Sequence, residues 1–452
     1  MNRRARQILQ TALALSLLAS PVLATAAPAD SGPDVVATAP VLTLAEAVRA
    51  ARAHHPALEL ARGSAASALG AANQSRASLL PQLNGTASYT RATSNFVPQP
   101  GGTVPLAAQG ATSWATDPLW RFGLSASQLV YDFGETINRW KAANVAADAA
   151  DVSVHATEAQ VAYNARVAFF TARAAKDMVR VARETLANQE KHLQQVQGFV
   201  EVGTHPAIDL SQARADRATA QLQLINAENN YAVGKAMLNQ AMGIERSVDY
   251  DLADDALPAI EGEDAPVESL VDDAKRTRPD MASLRLNLTS QELGLRSAHD
   301  MNWPNLSLSG SVNESGPELE RMTWNFSGLV LLSIPFLQGG AIQAQVRQAR
   351  GQVQQAQAQL ETQRQQVRLD VEQARLGIRA ARGAIAAAED ALVNTRDRLR
   401  LAEGRYATGV GSIIELGDAQ LAATSAAAQK VQAEYQLSTA RAQLLKALGR
   451  ND

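Results

Sequence analysis

The chain consists of two copies of one unit, and this duplication constrains its fold more than any other feature. Five anchor segments of the first half recur in the same order in the second half. The segments that match are 43–58 with 267–281, 81–83 with 304–306, 128–134 with 334–340, 198–213 with 404–419, and 242–243 with 448–449. An ordered series of this kind indicates an internal repeat. The interpretation is a first repeat over 42–244 and a second over 267–452.

Each repeat is predicted to contain a helix, two strands and a long helix that turns back. An alanine-rich helix is expected at 57–78, and alternating β-forming residues predict strands at 83–95 and 119–131. The second repeat has its strands at 305–313 and 323–334. Their lengths suit tilted spans of a bilayer, and all five tryptophans lie in or beside them. The alternative is a small soluble sheet.

A long helix follows each pair of strands. Residues 340–404 contain no proline, and small and large side chains alternate in a seven-residue repeat. The small positions are Ala374, Ala381, Ala388, Thr395 and Ala402, and the large ones are Val371, Ile378, Ile385, Leu392, Leu399 and Tyr406. This pattern predicts a left-handed coiled coil about 100 Å long, with a return helix at 412–447. The fold class is therefore mainly α with a small β part.

The N-terminal residues predict export from the cytoplasm. A basic start, an apolar stretch and the small-residue site Ala24-Thr25-Ala26 are typical of a cleaved signal peptide at 1–26. The chain has no cysteine, so we expect neither disulfides nor a lipid-modified N-terminal cysteine. Residues 245–266 between the repeats are acidic, and we interpret them as a solvated connector.

Composition and motifs argue against several classes of function. A net charge of −3 gives no basic stripe for nucleic acid. We find no catalytic residue, no phosphate-binding loop and no cofactor-binding motif. His54 and His55 precede Pro56, but no further ligand is suitably spaced, so no metal site is predicted. The chain is therefore not expected to be an enzyme.

Four strands cannot close a transmembrane barrel alone, because known barrels start at about eight strands. An open sheet edge in lipid would leave backbone groups unpaired at a cost of several kcal/mol each. If the strands meet the bilayer, several chains must combine them. A different class of protein, a periplasmic coiled-coil scaffold or adaptor, would explain the heptads but not the paired hairpins.

The duplicated unit, the strand exits at 128–134 and 334–340 and the turn at 404–419 together resemble the TolC family of outer-membrane efflux proteins. The resemblance covers 42–449 and implies a homotrimer with a twelve-stranded β-barrel in outer-membrane lipid and a periplasmic α-helical barrel. It implies a passive duct for drugs or other small toxic compounds. Its partners would be a periplasmic adaptor and an inner-membrane pump of the RND or ABC type. Type I protein secretion is the alternative within this class.

The helix–helix turns carry the candidate gate. Glu415 and Asp418 are three residues apart, so they share a helix face and would form rings of carboxylates in a three-fold assembly. The resemblance implies the same acidic gate, together with a latch between Tyr406 and Asp209. The basic latch residue of the family would fall at Gly411, so a salt-bridge lock is not expected. The alternative for Glu415 is a capping box with Ser412.

The same turns contain the candidate adaptor-docking residues. Glycine allows left-handed backbone angles and the close approach of a partner helix. The resemblance places the adaptor at these tips, which makes Gly203, Gly409, Gly411 and Leu416 the docking candidates. Turn formation alone is the alternative explanation for the glycines.

Overall fold

The computed structural model describes residues 40–93, 114–246 and 248–450. The predicted signal peptide and most of residues 96–118, which connect the first two predicted strands, lie outside these residues. The described chain is mainly helical with a small sheet, as predicted. Its elements are β1 (Val41–Leu42), α1 (Leu44–His54), α2 (Pro56–Ala77), β2 (Gln82–Thr93), β3 (Thr116–Tyr131), α3 (Glu135–Glu201), α4 (Ala207–Met242), β4 (Asp251–Leu252), α5 (Val267–Thr277), α6 (Pro279–Asp300), β5 (Asn305–Gly316), β6 (Thr323–Ser333), α7 (Ala341–Ala407) and α8 (Ile413–Ala447).

The two halves repeat in length as well as in order. Helices α3 and α7 have 67 residues each, α2 and α6 have 22 each, and α1 and α5 have 11 each. The return helices differ by one residue, 36 in α4 against 35 in α8. Strand β3 begins at Thr116, three residues before its predicted start, so residues 116–118 belong to the strand.

One glycine contact is repeated in both halves. Gly243 ends α4 at a φ of 74°, and a Cβ there would lie 2.7 Å from the carbonyl oxygen of His54. Gly449 follows α8 at a φ of 68°, and a Cβ there would lie 2.9 Å from the Cα of Arg278. Both positions need glycine, because the backbone is left-handed and another backbone passes close by. The contact holds the end of each return helix against the start of its repeat.

The four long strands form one antiparallel sheet in the order β2-β3-β5-β6. Each repeat contributes a hairpin, and β3 and β5 join the two hairpins. Strands β2 and β6 are therefore the two edges, each with a row of backbone groups that this sheet does not pair. The sheet ends where α3 and α7 begin.

Helix α3 packs against α6 through three serines spaced seven residues apart. The hydroxyls of Ser283, Ser290 and Ser297 donate to backbone carbonyls of α3 at 2.8, 2.8 and 2.9 Å. Small side chains at heptad spacing let the two helix backbones approach closely. The seam predicted on α7 is also buried, since Val371, Ala374, Ile378, Ala381, Ala388, Leu392, Ala402 and Tyr406 all lie inside.

The connector at 245–266 is only partly solvated: most of its acidic side chains are exposed, but four of its described residues are buried. Tyr250, Leu252 and Leu257 are buried, and β4 pairs in parallel with β1. Glu263 is only 4% exposed and forms ion pairs with Arg441 of α8, at 3.2 Å, and with Arg382 of α7. A local charge run suggests exposure, but here arginines distant in sequence neutralise the buried carboxylate.

Candidate functional site

Two helical hairpins end side by side at one tip of the molecule. Helices α3 and α4 are joined by a turn at 202–206, and α7 and α8 by a turn at 408–412. Buried apolar side chains from all four helices pack together just behind the turns. We call this set the tip core: Val196, Ala213, Ala402, Tyr406, Leu416 and Ala419. The two hairpins are therefore held together at their tips by direct packing.

An aromatic cluster surrounds Tyr406, which is 2% exposed. Its ring centroid lies 5.2 Å from that of His192, 5.1 Å from that of His205 and 6.3 Å from that of Phe199. Phe199 and His205 also stack on each other at 4.9 Å. We call these four residues the aromatic cluster. Offset and edge-to-face ring pairs of this kind stabilise packing by about 0.5–1.5 kcal/mol each.

The sequence analysis missed both histidines of this cluster. A signal was available, because Gln189, His192, Val196 and Phe199 follow the three- and four-residue spacing of a buried helix face. His192 lies on that face and is 5% exposed. Burial lowers the pKa of His192, and the charges of Asp216 and Asp209 offset only part of this effect. The ring is therefore neutral near pH 7.

The predicted hydrogen bond between Tyr406 and Asp209 is not formed within the chain. The Tyr406 hydroxyl is buried without a hydrogen-bond partner. Asp209 lies in the first turn of α4, as predicted, but its Oδ2 contacts His205 Nδ1 at 3.3 Å. Burial, and secondly the charge of Asp209, raise the pKa of the Tyr406 hydroxyl. His205, and not Tyr406, is therefore the partner of Asp209 in this chain.

The capping box predicted at Ser412 is only half formed. The Ser412 hydroxyl accepts from the backbone N–H of Glu415 at 3.1 Å. The Glu415 carboxylate does not accept from the backbone N–H of Ser412, which a complete capping box requires. It forms an ion pair with Arg405 Nε at 3.4 Å instead. A salt bridge thus crosses the α7–α8 turn, although the position expected for a basic residue is Gly411.

Asp418 lies one turn further along α8, in a groove of about 660 Å³ between α4 and α8. Asp209 and Asp216 line the same groove, whereas Glu415 does not. The structure therefore brings two of the four predicted gate residues together, Asp209 and Asp418. Isoleucines and a leucine complete the wall, so the groove is both acidic and apolar: Ile208, Ile413, Ile414 and Leu421.

The docking candidates fall into three groups. Gly203 and Gly409 are exposed and left-handed, with φ of 78° and 74°, and no atom would obstruct a Cβ at either position. A Cβ at Gly411 would lie 2.9 Å from Tyr406 N, so the turn itself requires this glycine. Leu416 is 2% exposed in the tip core, so it cannot contact a partner directly, and the prediction for this residue was wrong.

The sheet has one polar face and one apolar face. Side chains alternate along a strand, and residues directly opposite each other share a face. The polar face carries Gln82, Asn84, Thr86 and Ser88 on β2, Arg121, Gly123, Ser125 and Ser127 on β3, Ser309, Ser311, Asn313 and Ser315 on β5, and Thr323, Asn325 and Ser327 on β6. Four leucines are the apolar exceptions on this face: Leu119, Leu129, Leu329 and Leu331. The apolar face carries Leu83, Ala87, Tyr89, Trp120, Phe122, Leu124, Ala126, Leu308, Val312, Trp324, Phe326 and Val330. Both faces of β6 are exposed along its length.

Aromatic side chains lie at both ends of the sheet. At the end away from the helices, Tyr89 and Trp120 pack at 4.6 Å. At the helix end, Phe133 stacks on Trp303 at 5.4 Å and meets Tyr131 at 4.8 Å. Two aromatic groups that flank an apolar band are typical of a protein surface that crosses a bilayer. Charged exceptions on the apolar face, Arg91 and Glu314, are near the end away from the helices.

The described residues contain neither a group of side chains suited to a metal ion nor an apolar membrane helix. Within 40–93, 114–246 and 248–450, no three histidine or carboxylate side chains are grouped so that they could hold a metal ion. Over the same ranges, no helix is both long enough and apolar enough to cross a membrane.

Comparison with known proteins agrees with this geometry. Residues 47–244 and 270–450 match the family model of the outer membrane efflux protein. The TolC outer membrane protein of Escherichia coli is 25% identical over 331 residues, which are 68% of this chain and 62% of TolC. SilC of Salmonella typhimurium, a probable outer membrane lipoprotein, is 24% identical over half of each chain. The chain thus spans about half to three fifths of these relatives.

Solved structures share the fold over most of the chain. The Campylobacter jejuni CmeC outer membrane channel superposes with a TM-score of 0.77 at 20% identity, covering 90% of this chain and 85% of CmeC. CusC superposes with a TM-score of 0.75 at 21% identity, covering 90% of this chain and 92% of CusC. With the family model matching both halves, this chain belongs to the outer membrane efflux protein family.

Proposed function

We propose that this protein is the outer-membrane channel subunit of a tripartite export system. Three chains form a passive exit duct for small toxic compounds or drugs across the outer membrane and the periplasm. The observation that carries this proposal is the sheet, which has a polar face, an apolar face and two unpaired edges. A water-filled pore in a bilayer needs the two faces, and it needs both edges to be closed by pairing with further strands.

The unpaired edges favour assembly between identical chains. A sheet edge in hydrocarbon leaves N–H and C=O groups without water, so β6 of one chain must pair with β2 of the next. Three copies of four strands give twelve, within the range of known barrels. The relatives support a channel, since CmeC is an outer membrane channel and TtgF of Pseudomonas putida is the outer membrane protein of a toluene efflux pump.

The long helices supply the rest of the duct. A helix of 67 residues is about 100 Å long, and α3 and α7 leave the same end of the sheet. We propose that they cross the periplasm after export by the signal peptide. SilC is named a lipoprotein, but the sequence of this chain offers no cysteine for lipid attachment.

The helical tips form the proposed gate. Asp418 faces the groove shared with Asp209, and three copies of Asp418 and Glu415 would place carboxylates around a constriction. Such rings favour cations and disfavour anions. Gly203 and Gly409 mark the surface that docks a periplasmic adaptor, beside exposed Val202 and Val410. An inner-membrane pump of the RND or ABC type supplies the energy, and the duct itself performs no catalysis.

The test is single-channel recording of the full chain, purified from the outer-membrane fraction and reconstituted in planar bilayers. We expect discrete cation-selective openings, and an Asp418→Asn variant with reduced selectivity. Gln212→Glu adds a carboxylate on the same groove wall and serves as the opposite charge control. A chain that is recovered as a soluble monomer, without detergent and without conductance, would contradict the proposal.

A further inference from the structure

The aromatic cluster joins the two hairpins, and both of its imidazole rings belong to the α3–α4 hairpin. His192 lies on α3 and His205 in the following turn, whereas Tyr406 comes from α7. Both imidazoles lie within about 5 Å of the Tyr406 ring, 5.2 and 5.1 Å between centroids. A change in either imidazole therefore acts on the contact between the hairpins.

The charged groups that act on His192 belong to its own hairpin, α3–α4. Asp209 and Asp216 on α4 attract a positive charge on this ring. Helix α7 contributes the Tyr406 ring, whose hydroxyl is unbonded, and α8 contributes the buried Leu416. The nearby ion pair of Arg405 with Glu415 is internal to the α7–α8 hairpin. A protonated His192 would thus find carboxylates within its own hairpin and an apolar surface on the other.

His205 differs from His192 because it already has an acidic partner. Its Nδ1 lies 3.3 Å from Asp209 Oδ2, and this contact lies within the α3–α4 hairpin. This contact does not connect α4 to α7. Protonation of His192 acts between the hairpins instead, because this ring is only 5% exposed in the packed tip and burial disfavours its charged form.

We propose that the aromatic cluster is an acid-sensitive contact between the two hairpins at the tip: protonation of His192 releases α7 from α3 and loosens the gate. This inference rests on the proposed channel function and adds a mode of regulation to the same site. Acid conditions outside the cell would favour the loosened tip, and neutral conditions would favour the packed one.

The direction and the steepness of the pH response of the tip follow from proton linkage. Burial places the pKa of His192 below the value of about 6.5 for a free imidazole. The packed tip is then fully favoured above that pH and loses stability as the pH falls through the lower value. One proton per chain changes the ratio of loosened to packed tips by at most about tenfold per pH unit.

The experiment measures the distance between the two hairpin tips, and it does not depend on conductance. The native chain has no cysteine, so Val202→Cys with Val410→Cys allows specific spin labelling of two exposed positions. Labelled full-length chains are diluted with unlabelled chains, and the intrachain distance is recorded by pulsed electron resonance from about pH 8 to about pH 5. We expect a longer distance to gain population as the pH falls below about 6.5.

Two further variants decide the cause. His192→Phe keeps a ring against Tyr406 but cannot be protonated, and His192→Gln is a neutral polar alternative. Both should abolish the pH-dependent change. His155→Gln, on an exposed part of the same helix, should leave it intact. A pH response that persists in both His192 variants, or no response in the native chain, overturns the inference. Absence of conductance in all variants would overturn the channel proposal alone.

Discussion

The ring of Tyr406 meets the ring of His192 edge to face, with 5.2 Å between centroids and 67° between planes. Helices α3 and α7 come from different repeats, so this pair connects the two halves of the chain at the tip. The Tyr406 hydroxyl contributes no hydrogen bond to that connection. At Tyr406 the two hairpins are therefore connected by the packing of rings and not by a hydrogen bond of this hydroxyl.

Tyr406→Phe is therefore expected to leave stability unchanged or to raise it by up to about 1 kcal/mol, because a buried hydroxyl without a partner costs free energy. Tyr250→Phe is the matched control. The Tyr250 hydroxyl donates to Asn239 Oδ1 at 2.9 Å, so its loss should cost about 1–3 kcal/mol. Thermal unfolding of both variants in detergent compares the two effects. Destabilisation by Tyr406→Phe equal to that of Tyr250→Phe would show that the hydroxyl has a partner in the assembly.

Glu263→Gln should destabilise the attachment of the connector by about 3 kcal/mol, since Arg382 and Arg441 lose their shared carboxylate. Glu361→Gln removes an exposed ion pair with Arg364 and should cost less than about 1 kcal/mol. Hydrogen exchange of residues 250–266 reports the effect. Equal protection in the two variants would contradict a structural role for Glu263.

The effect of Glu263 should also depend on pH in a defined window. Burial alone would raise the pKa of Glu263, but the Ile260 N–H, Arg441 and Arg382 outweigh it, and the pKa is lowered. Its stabilisation is then complete above about pH 4.5 and is lost only as the pH falls through the lower folded value. Between about pH 5 and 8 the difference between native and variant chains should be constant. The constant difference in this pH range distinguishes the effect of Glu263 from the pH response of His192.

Gly243→Ala should destabilise the chain by at least about 2 kcal/mol, because the new methyl group would meet the His54 carbonyl on a left-handed backbone. Gly63→Ala is the control, since Gly63 lies inside helix α2 with open space around it. There alanine should stabilise the helix by about 0.5–1 kcal/mol. Unfolding midpoints should move in opposite directions, and a parallel shift would contradict the contact.

Adjacent residues of β5 test the two faces of the sheet. Val312 lies on the apolar face and Ser311 on the polar face. A lysine in contact with lipid costs about 2–4 kcal/mol near the bilayer centre, whereas a lysine in a water-filled lumen is tolerated. Val312→Lys should therefore reduce the amount of folded protein in the outer membrane, and Ser311→Lys should change conductance only. If Ser311→Lys reduced the amount of folded protein and Val312→Lys did not, the polar face would be the one that contacts lipid.

The sequence predicted those parts of the fold that periodicity encodes. Alternation located the four strands within a few residues, and the heptads of α7 located its buried seam. It could not predict contacts between distant segments, which leave no local pattern. Glu263 is neutralised by arginines of α7 and α8, Asp209 contacts His205 and not Tyr406, and Leu416 is covered by α3 and α7. The candidate gate residues lie at the helix–helix turns, but the partners of their side chains depend on how the two hairpins meet.

The central claim is that β6 of one chain pairs with β2 of the next, and disulfide crosslinking tests it most directly. Ser327→Cys on β6 is combined in turn with Asn84→Cys, Thr86→Cys and Ser88→Cys on β2, all on the polar face. Within one chain these edges are three strand spacings apart, about 14 Å, whereas a disulfide needs Cα atoms closer than about 7 Å. We predict that oxidation of cells gives a covalent trimer in at least one combination and in no single-cysteine variant. Monomers only, in every combination, would contradict the shared barrel.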